Sequence, residues 1–238
     1  MTLERREKNV LEEDACEAIS ELVMPYEYKE DENYYVESLG TIPAKPIYSV
    51  LKRAFDIVAS MLALIILAIP MIIIALAIKI SSPGPVLYRQ ERLGLNGKKF
   101  NILKFRSMRT DAEKGGARWS DGDNDERIAP IGHVLRKFRL DEIQQFFCIL
   151  NGSMTLVGPR PERECFYHEF EKHVHGFIER LKVKPGLTGL AQVSGGYDLS
   201  PQEKVVYDIE YIKKRSLFLD VKIMFETVGV VFSHDGAK

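Results

Sequence analysis

Residues 57–78 form an apolar run with no charged side chain, and Pro70 stands near its middle. A helix of about 22 residues reaches across the ~30 Å hydrocarbon core of a bilayer. The flanks are basic on both sides, with Lys52 and Arg53 before the run and Lys79, Arg89 and Arg92 after it. A single crossing concentrates Lys and Arg on its cytoplasmic side alone. Pro70 removes one helical N–H and its ring clashes with the carbonyl of Ile66, which predicts a kink. The pattern therefore predicts a re-entrant helix that enters the membrane, bends near Pro70 and leaves by the same face.

Ser81-Ser82-Pro83-Gly84-Pro85 ends that helix. Residues 86–92 and 99–105 read as two strands around Leu95-Asn96-Gly97, because Asn-Gly accepts positive φ and marks a hairpin. Residues 110–127 are polar and glycine-rich, a long loop holding Trp119. Helices are expected over 131–138, 141–150, 164–181, 201–214 and 217–232. The third carries Phe166, Phe170, Val174, Phe177 and Leu181 at helical spacing. Such stripes form cores in ordinary domains, and beside a membrane some lie in the interface instead. The expected fold is α+β and mostly helical. An acidic, flexible N-terminal extension over residues 1–44, with an amphipathic stretch over 10–24, precedes a re-entrant membrane helix hairpin over 45–82. A small cytosolic domain over 83–238 follows, with a short β-hairpin and membrane-surface amphipathic helices.

Charge sharpens this picture. The formal net charge is −1, yet residues 1–44 carry roughly eight more acidic than basic side chains, so the remainder is basic. A basic body behind a membrane segment suits anionic headgroups, phosphorylated lipids or nucleotide phosphates, at ~1 kcal/mol per surface Lys or Arg. An ordinary solvated surface has the same composition. Nucleic acid is not among the expected partners. Cys16, Cys148 and Cys165 show neither a disulfide framework nor metal-ligand spacing. His168, His173 and His175 lack a carboxylate partner that would complete a metal site. The charged N-terminus shows no cleavable secretory signal, so cytoplasmic exposure and reduced thiols are expected.

Asp141-Glu142 are the leading catalytic candidates. They follow Arg136, Lys137 and Arg139 and open a predicted helix, where the dipole favours both carboxylates and an incoming phosphate. One carboxylate is suited to attack phosphorus while the other holds a divalent cation. A helix cap followed by a first-turn acid would look the same. The flanking segments add cations on stiff backbone. Arg160 stands between Pro159 and Pro161, a preorganised guanidinium suited to phosphate or to a nucleobase and its sugar. Lys104 and Arg106 leave the hairpin. Lys184-Pro185-Gly186-Leu187-Thr188-Gly189 is a second rigid turn.

These segments, standing as KRAFDIVAS, SSPGPVLYRQERLGLNGKKFNILKFRSM, RKFRLDEIQQFFCILNGSMTLVGPRPE, VKPGLTGLAQVSG and LDVKIMFETV, resemble the bacterial sugar transferase family. Its members of this type are monotopic polyprenyl-phosphate phosphoglycosyl transferases. The segments occur in family order and span roughly three quarters of the chain. The resemblance implies an enzyme at the cytoplasmic face of the bacterial inner membrane. It would move a sugar 1-phosphate from a UDP-sugar to polyprenyl (undecaprenyl) phosphate, releasing UMP, as the first membrane step of exopolysaccharide, capsule or glycoconjugate assembly. By similarity Asp141 is the nucleophile of a covalent phosphosugar-aspartyl intermediate and Glu142 a ligand to Mg²⁺. Lys104, Arg136 and Arg160 match basic residues around the phosphates and nucleotide, with Arg106 beside them and Asp208 in a supporting role. A homodimer and downstream glycosyltransferases are compatible partners. A catalytically silent membrane scaffold, or a glycosyltransferase releasing UDP, are the alternatives. Two departures stand out. Ile143-Gln144 replace the family's usual Leu-Pro after the acidic pair, and these residues do not show the N-terminal block of membrane helices of larger members.

Overall fold

The computed structural model describes residues 34–112, 125–196 and 199–233. The amphipathic stretch over 10–24, Cys16 and Trp119 lie outside the described residues. A strand β1 (Tyr34–Tyr35) leads to α1 (Pro46–Ser81), a helix of 36 residues that runs without interruption past Pro70. Pro46 suits the first turn, where its missing N–H leaves no bond unmade. At ~1.5 Å per residue the helix is about 54 Å long. Among the described residues it is the one helix long and apolar enough to cross a membrane. Ile65, Ile66, Ile69, Ile72 and Ile73 in its middle are exposed.

Both ends of α1 are fastened to the same body. Arg53 donates to the carbonyls of Ile149 and Leu150 at 2.6 and 2.8 Å. Buried Asp56 accepts from the Thr155 hydroxyl and the Leu156 N–H at 2.6 and 3.1 Å. At the far end Ile78 is fully buried in a cluster with Phe105 and Leu135, to which Met71, Ile74 and Leu140 add.

The hairpin forms as the pattern predicts. Strands β2 (Leu87–Leu93) and β3 (Lys99–Phe105) pair antiparallel, and Asn96 and Gly97 between them take φ of 55° and 73°. Helix α2 (Pro130–Lys137) also lies where expected. The next prediction does not hold. In place of one helix over 141–150 there is a 3₁₀ turn, Leu140–Glu142, and then a short α3 (Gln145–Leu150). Arg139 takes the left-handed region (φ 53°) just before this turn. A six-residue helix also supplies little dipole.

Beyond it, strand β4 (Thr155–Val157) precedes α4 (Glu164–His173). The expected helix over 164–181 breaks here into α4, strand β5 (Val174–His175) and a 3₁₀ segment, Phe177–Lys182. Gly176 takes φ 91°, and the Glu171 carboxylate accepts the N–H groups of Gly176 and Ile178 at 2.6 and 3.1 Å, which stabilises the break. Phe166, Phe170, Val174, Phe177 and Leu181 are nonetheless all buried. Strand β5 pairs parallel with β1, so residues 34–44 of the expected flexible extension are held on the body. Leu39 N–H donates to Glu179 at 2.7 Å, and Arg215 donates to the Pro43 carbonyl at 2.9 Å.

Strand β6 (Gly186–Thr188) pairs parallel with β4, and the short α5 (Leu190–Ser194) follows; neither pairing nor helix was legible from periodicity. Helix α6 (Pro201–Lys214) opens on a capping box, Ser200 with Glu203, and α7 (Leu217–Ser233) closes the described fold. Asp220 on α7 binds α1 and α6 at once, lying 2.9 Å from Lys52 Nζ, 2.9 Å from the Tyr48 hydroxyl and 2.8 Å from the Tyr211 hydroxyl.

The β4–β6 pairing presses two backbone segments together at glycines. A Cβ at Gly186 would stand 2.1 Å from the Gly158 nitrogen, and one at Gly158 would stand 2.5 Å from the Lys184 carbonyl. Backbone atoms cannot yield as a flexible side chain does. Gly186→Ala is therefore expected to lower Tm by roughly 3–10 °C in a thermal melt. An unchanged Tm would show that the two segments are not in contact.

Candidate active site

A cleft of about 400 Å³ opens between the hairpin, the 3₁₀ turn at Leu140–Glu142, the segment after β4 and the start of α5. Eleven of the described residues lining it are Lys or Arg, against three carboxylates, Asp141, Glu142 and Glu162. A site of that balance favours polyanions.

Glu142 lies at the centre. It is buried, and Lys104 Nζ from β3 donates to its Oε1 at 2.8 Å. Arg160 donates to Oε1 at 2.5 Å through Nη2 and to Oε2 at 3.3 Å through Nη1. Burial alone would raise its pKa, but Arg160 and Lys104 hold the carboxyl well below the usual range. Asp141 differs. It is equally buried, at 7 % exposed, and its carboxylate accepts no hydrogen bond among the described residues. Burial first, and the Glu142 charge second, push its pKa up to about 6 against the pull of Lys104, Arg136 and Arg160. One carboxylate is thus locked and ionised, and its neighbour is desolvated and more basic.

Lys104, Arg136 and Arg160 accordingly meet around the acidic pair, brought there by β3, the last turn of α2 and the segment after β4. The positive field comes from these three side chains rather than from a helix dipole. Arg106 lines the same cleft but spends its guanidinium on the end of α1. It donates to the carbonyls of Pro83 and Ser82 and to the Ser82 hydroxyl at 2.8, 2.9 and 2.6 Å. Asp208 does not line the cleft; it is buried against Arg180 at 2.6 Å. Arg180, absent from the sequence reading, does line it. Its signal was an arginine three residues after Phe177, on the flank of an apolar stripe.

Among the described residues no three His, Cys, Asp or Glu side chains form a metal site by themselves. Adjacent carboxylates in a phosphate-attracting cleft still suit Mg²⁺, which takes one or two carboxylates and completes its shell with substrate phosphates and water. The donor set fits an ion carried in with a diphosphate. Gln144 is a different departure from comfort: its buried amide has no hydrogen-bond partner for either Nε2 or Oε1 among the described residues.

The raised pKa of Asp141 has a consequence for stability. A carboxyl with a higher pKa folded than unfolded binds its proton more tightly when folded. Stability is then greatest below the unfolded pKa of ~3.9 and falls as pH rises through about 6. Replacing the group by a neutral amide removes that loss. Asp141→Asn is expected to raise stability at pH 7.5 by on the order of 2 kcal/mol, with the gain shrinking toward pH 4. Tm measured across this range checks it, and a gain that grew toward acid would contradict the buried setting of Asp141.

The matches to known proteins fall on this architecture. Residues 47–234 match the family model described as bacterial sugar transferase. The chain is 39 % identical over 210 residues to the UDP-N-acetylgalactosamine-undecaprenyl-phosphate N-acetylgalactosaminephosphotransferase of Aeromonas hydrophila, covering 87 % of this chain and 49 % of that protein. It is 40 % identical over 215 residues to the UDP-glucose:undecaprenyl-phosphate glucose-1-phosphate transferase of Escherichia coli K12, covering 85 % and 46 %. The chain thus spans about half the length of these relatives. Against the exopolysaccharide production protein ExoY of Rhizobium meliloti it is 36 % identical over 209 residues, covering 82 % of this chain and 90 % of ExoY. With its segments in order and its acidic pair in a cationic cleft, the chain belongs to the bacterial sugar transferase family.

Proposed function

We propose that this protein transfers a sugar 1-phosphate from a UDP-sugar to undecaprenyl or a related polyprenyl phosphate, releasing UMP. The observation that carries the reading is the division between Glu142, clamped by Lys104 and Arg160, and Asp141, buried beside it without a hydrogen bond among the described residues. A desolvated carboxylate with a pKa of about 6 is ionised at neutral pH and more nucleophilic than a surface one. One of its oxygens would attack the sugar-bearing phosphorus. The bond from that phosphorus to the bridging oxygen breaks, and UMP leaves with the electron pair. An oxygen of polyprenyl phosphate would then attack the same phosphorus and free Asp141. Lys104, Arg136 and Arg160 offset the charge that gathers on the phosphates. Glu142 would hold Mg²⁺ shared with the diphosphate, and the ion would supply further neutralisation.

A membrane-held site suits a soluble donor and a lipid acceptor used in turn. The fastening of both ends of α1 to one body supports the re-entrant reading. A straight crossing would put those ends on opposite faces of a ~30 Å core, whereas Asp56 and Ile78 pack on the same domain. Leu140, next to the nucleophile, packs in the same cluster as Ile78, Ile74 and Met71. This couples site depth to helix depth. The cytoplasmic face of the bacterial inner membrane is the corresponding location, and the first membrane step of exopolysaccharide, capsule or glycoconjugate assembly the corresponding role.

Purified protein in nanodiscs is expected to release UMP from a UDP-sugar when polyprenyl phosphate and Mg²⁺ are supplied, and Asp141→Asn to abolish it. Release of UDP instead would identify a conventional glycosyltransferase, and no turnover over a panel of donors a silent scaffold. The nucleophile must be ionised, so the rate is expected to rise with pH through about 6 and level off above it. A rate that fell over that range would exclude Asp141 as the attacking group.

A further inference from the structure

We infer that Arg180, held by Asp208, is a positioning residue that sets the direction of the Arg160 guanidinium and through it the clamp on Glu142. The inference rests on the reading of Arg160 as part of the phosphate-transfer site. It starts from the backbone of residues 158–162. Pro159 and Pro161 have no N–H, so this segment cannot fold back on itself through donors at those positions. Its carbonyls are the handles by which the protein holds it. The Pro159 carbonyl accepts from Gly186 N–H at 2.9 Å, and that of Glu162 from Leu93 N–H at 3.1 Å. Both are main-chain contacts from neighbouring strands. The Pro161 carbonyl accepts a long contact from Arg92, at 3.4 Å. The Arg160 carbonyl accepts from Arg180 Nη2 at 3.0 Å, a charged and therefore stronger donor.

Arg180 is itself fixed on three sides. Its Nη2 lies 2.6 Å from Asp208 Oδ2, with the two side chains 2 % and 1 % exposed. Its guanidinium carbon sits 4.7 Å from the centre of the Phe177 ring and 5.8 Å from that of Tyr167. Nε and Nη1 have no hydrogen-bond partner among the described residues, so Nη2 carries both polar contacts. A planar cation held in this way offers one fixed donor to the Arg160 carbonyl. Because the Arg160 peptide plane is set there, its side chain leaves toward Glu142, 2.5 Å from Nη2. Asp208 also cancels a buried positive charge that would otherwise repel the Arg160 guanidinium. Asp208 therefore acts two residues away from the chemistry, in series with Arg180 and Arg160.

A double-mutant cycle on UMP release tests the series. Arg180→Lys keeps the charge for Asp208 but loses the planar fork, and is expected to lower kcat about tenfold with little change in KM for the UDP-sugar. In an Arg160→Lys background the same substitution is expected to cost no further rate, because the residue through which it acts has already been altered. If Arg180→Lys fails to fold, the pair Arg180→Met with Asp208→Leu removes both buried charges together and takes its place in the cycle. Losses that multiply in the double variant, or an unchanged kcat for Arg180→Lys, overturn the inference while leaving the proposed activity intact. A wild-type protein that releases no UMP overturns the activity instead. The cycle is then read on Tm, where non-additive shifts at positions 160 and 180 support the series and additive ones refute it.

Discussion

The carboxylate of Glu142 is the point on which the rest of the structure turns. Three separate stretches of chain reach it: β3 brings Lys104, the 3₁₀ turn brings Glu142 itself, and the segment after β4 brings Arg160. Burying one of these charges without the others would cost several kcal/mol, so the hairpin, the turn and the proline-framed segment must arrive together. Their meeting defines the cleft. It also creates Asp141's surroundings, since a locked anion next door and little water leave its neighbour desolvated and its pKa raised.

The same economy governs the long apolar helix. Much of its middle is exposed among the described residues, while its ends are packed. Arg53 and Asp56 satisfy backbone groups of α3 and β4, while Ile78 and the Ser82-Pro83 carbonyls are gripped by Phe105, Leu135 and Arg106. Arg106, a cation that reads as phosphate-binding, is used here to hold the helix exit beside the site. The acidic pair and the end of the helix are thereby one mechanical unit, joined through Leu140.

Glycine at 158, 186 and 189 and proline at 159 and 161 serve that unit through absence rather than contact. The glycines permit two backbones to touch where any side chain would collide. The prolines remove donors that would let the Arg160 segment settle elsewhere. What remains is a short, stiff arm whose carbonyls are taken by β6, by Arg180 and by β2. Gln144 shows the opposite case, a buried polar side chain whose amide finds no hydrogen-bond partner among the described residues.

Local pattern was enough for the elements whose causes are local. The apolar run of residues 57–78 needs no partner to be helical. Asn96-Gly97 supplies its own positive φ, and Ser200 with Glu203 its own cap. Asp141, Glu142 and Arg160 were visible as charges on turning or stiff backbone, whereas the places of Lys104 and Arg136 beside them came with the family resemblance. Tertiary structure decided what depends on distant contacts. Whether residues 164–181 stay helical turned on Gly176 and on a strand partner some 140 residues away, Tyr34–Tyr35. Arg106 lines the cleft while donating to Ser82 and Pro83, and Asp208 pairs with Arg180, partners that only folding provides. Asp141 and Glu142, adjacent in sequence and equally buried, became different acids because Lys104 and Arg160 reach one of them and not the other, and cation placement is a three-dimensional quantity. Spacing along the chain does not carry it.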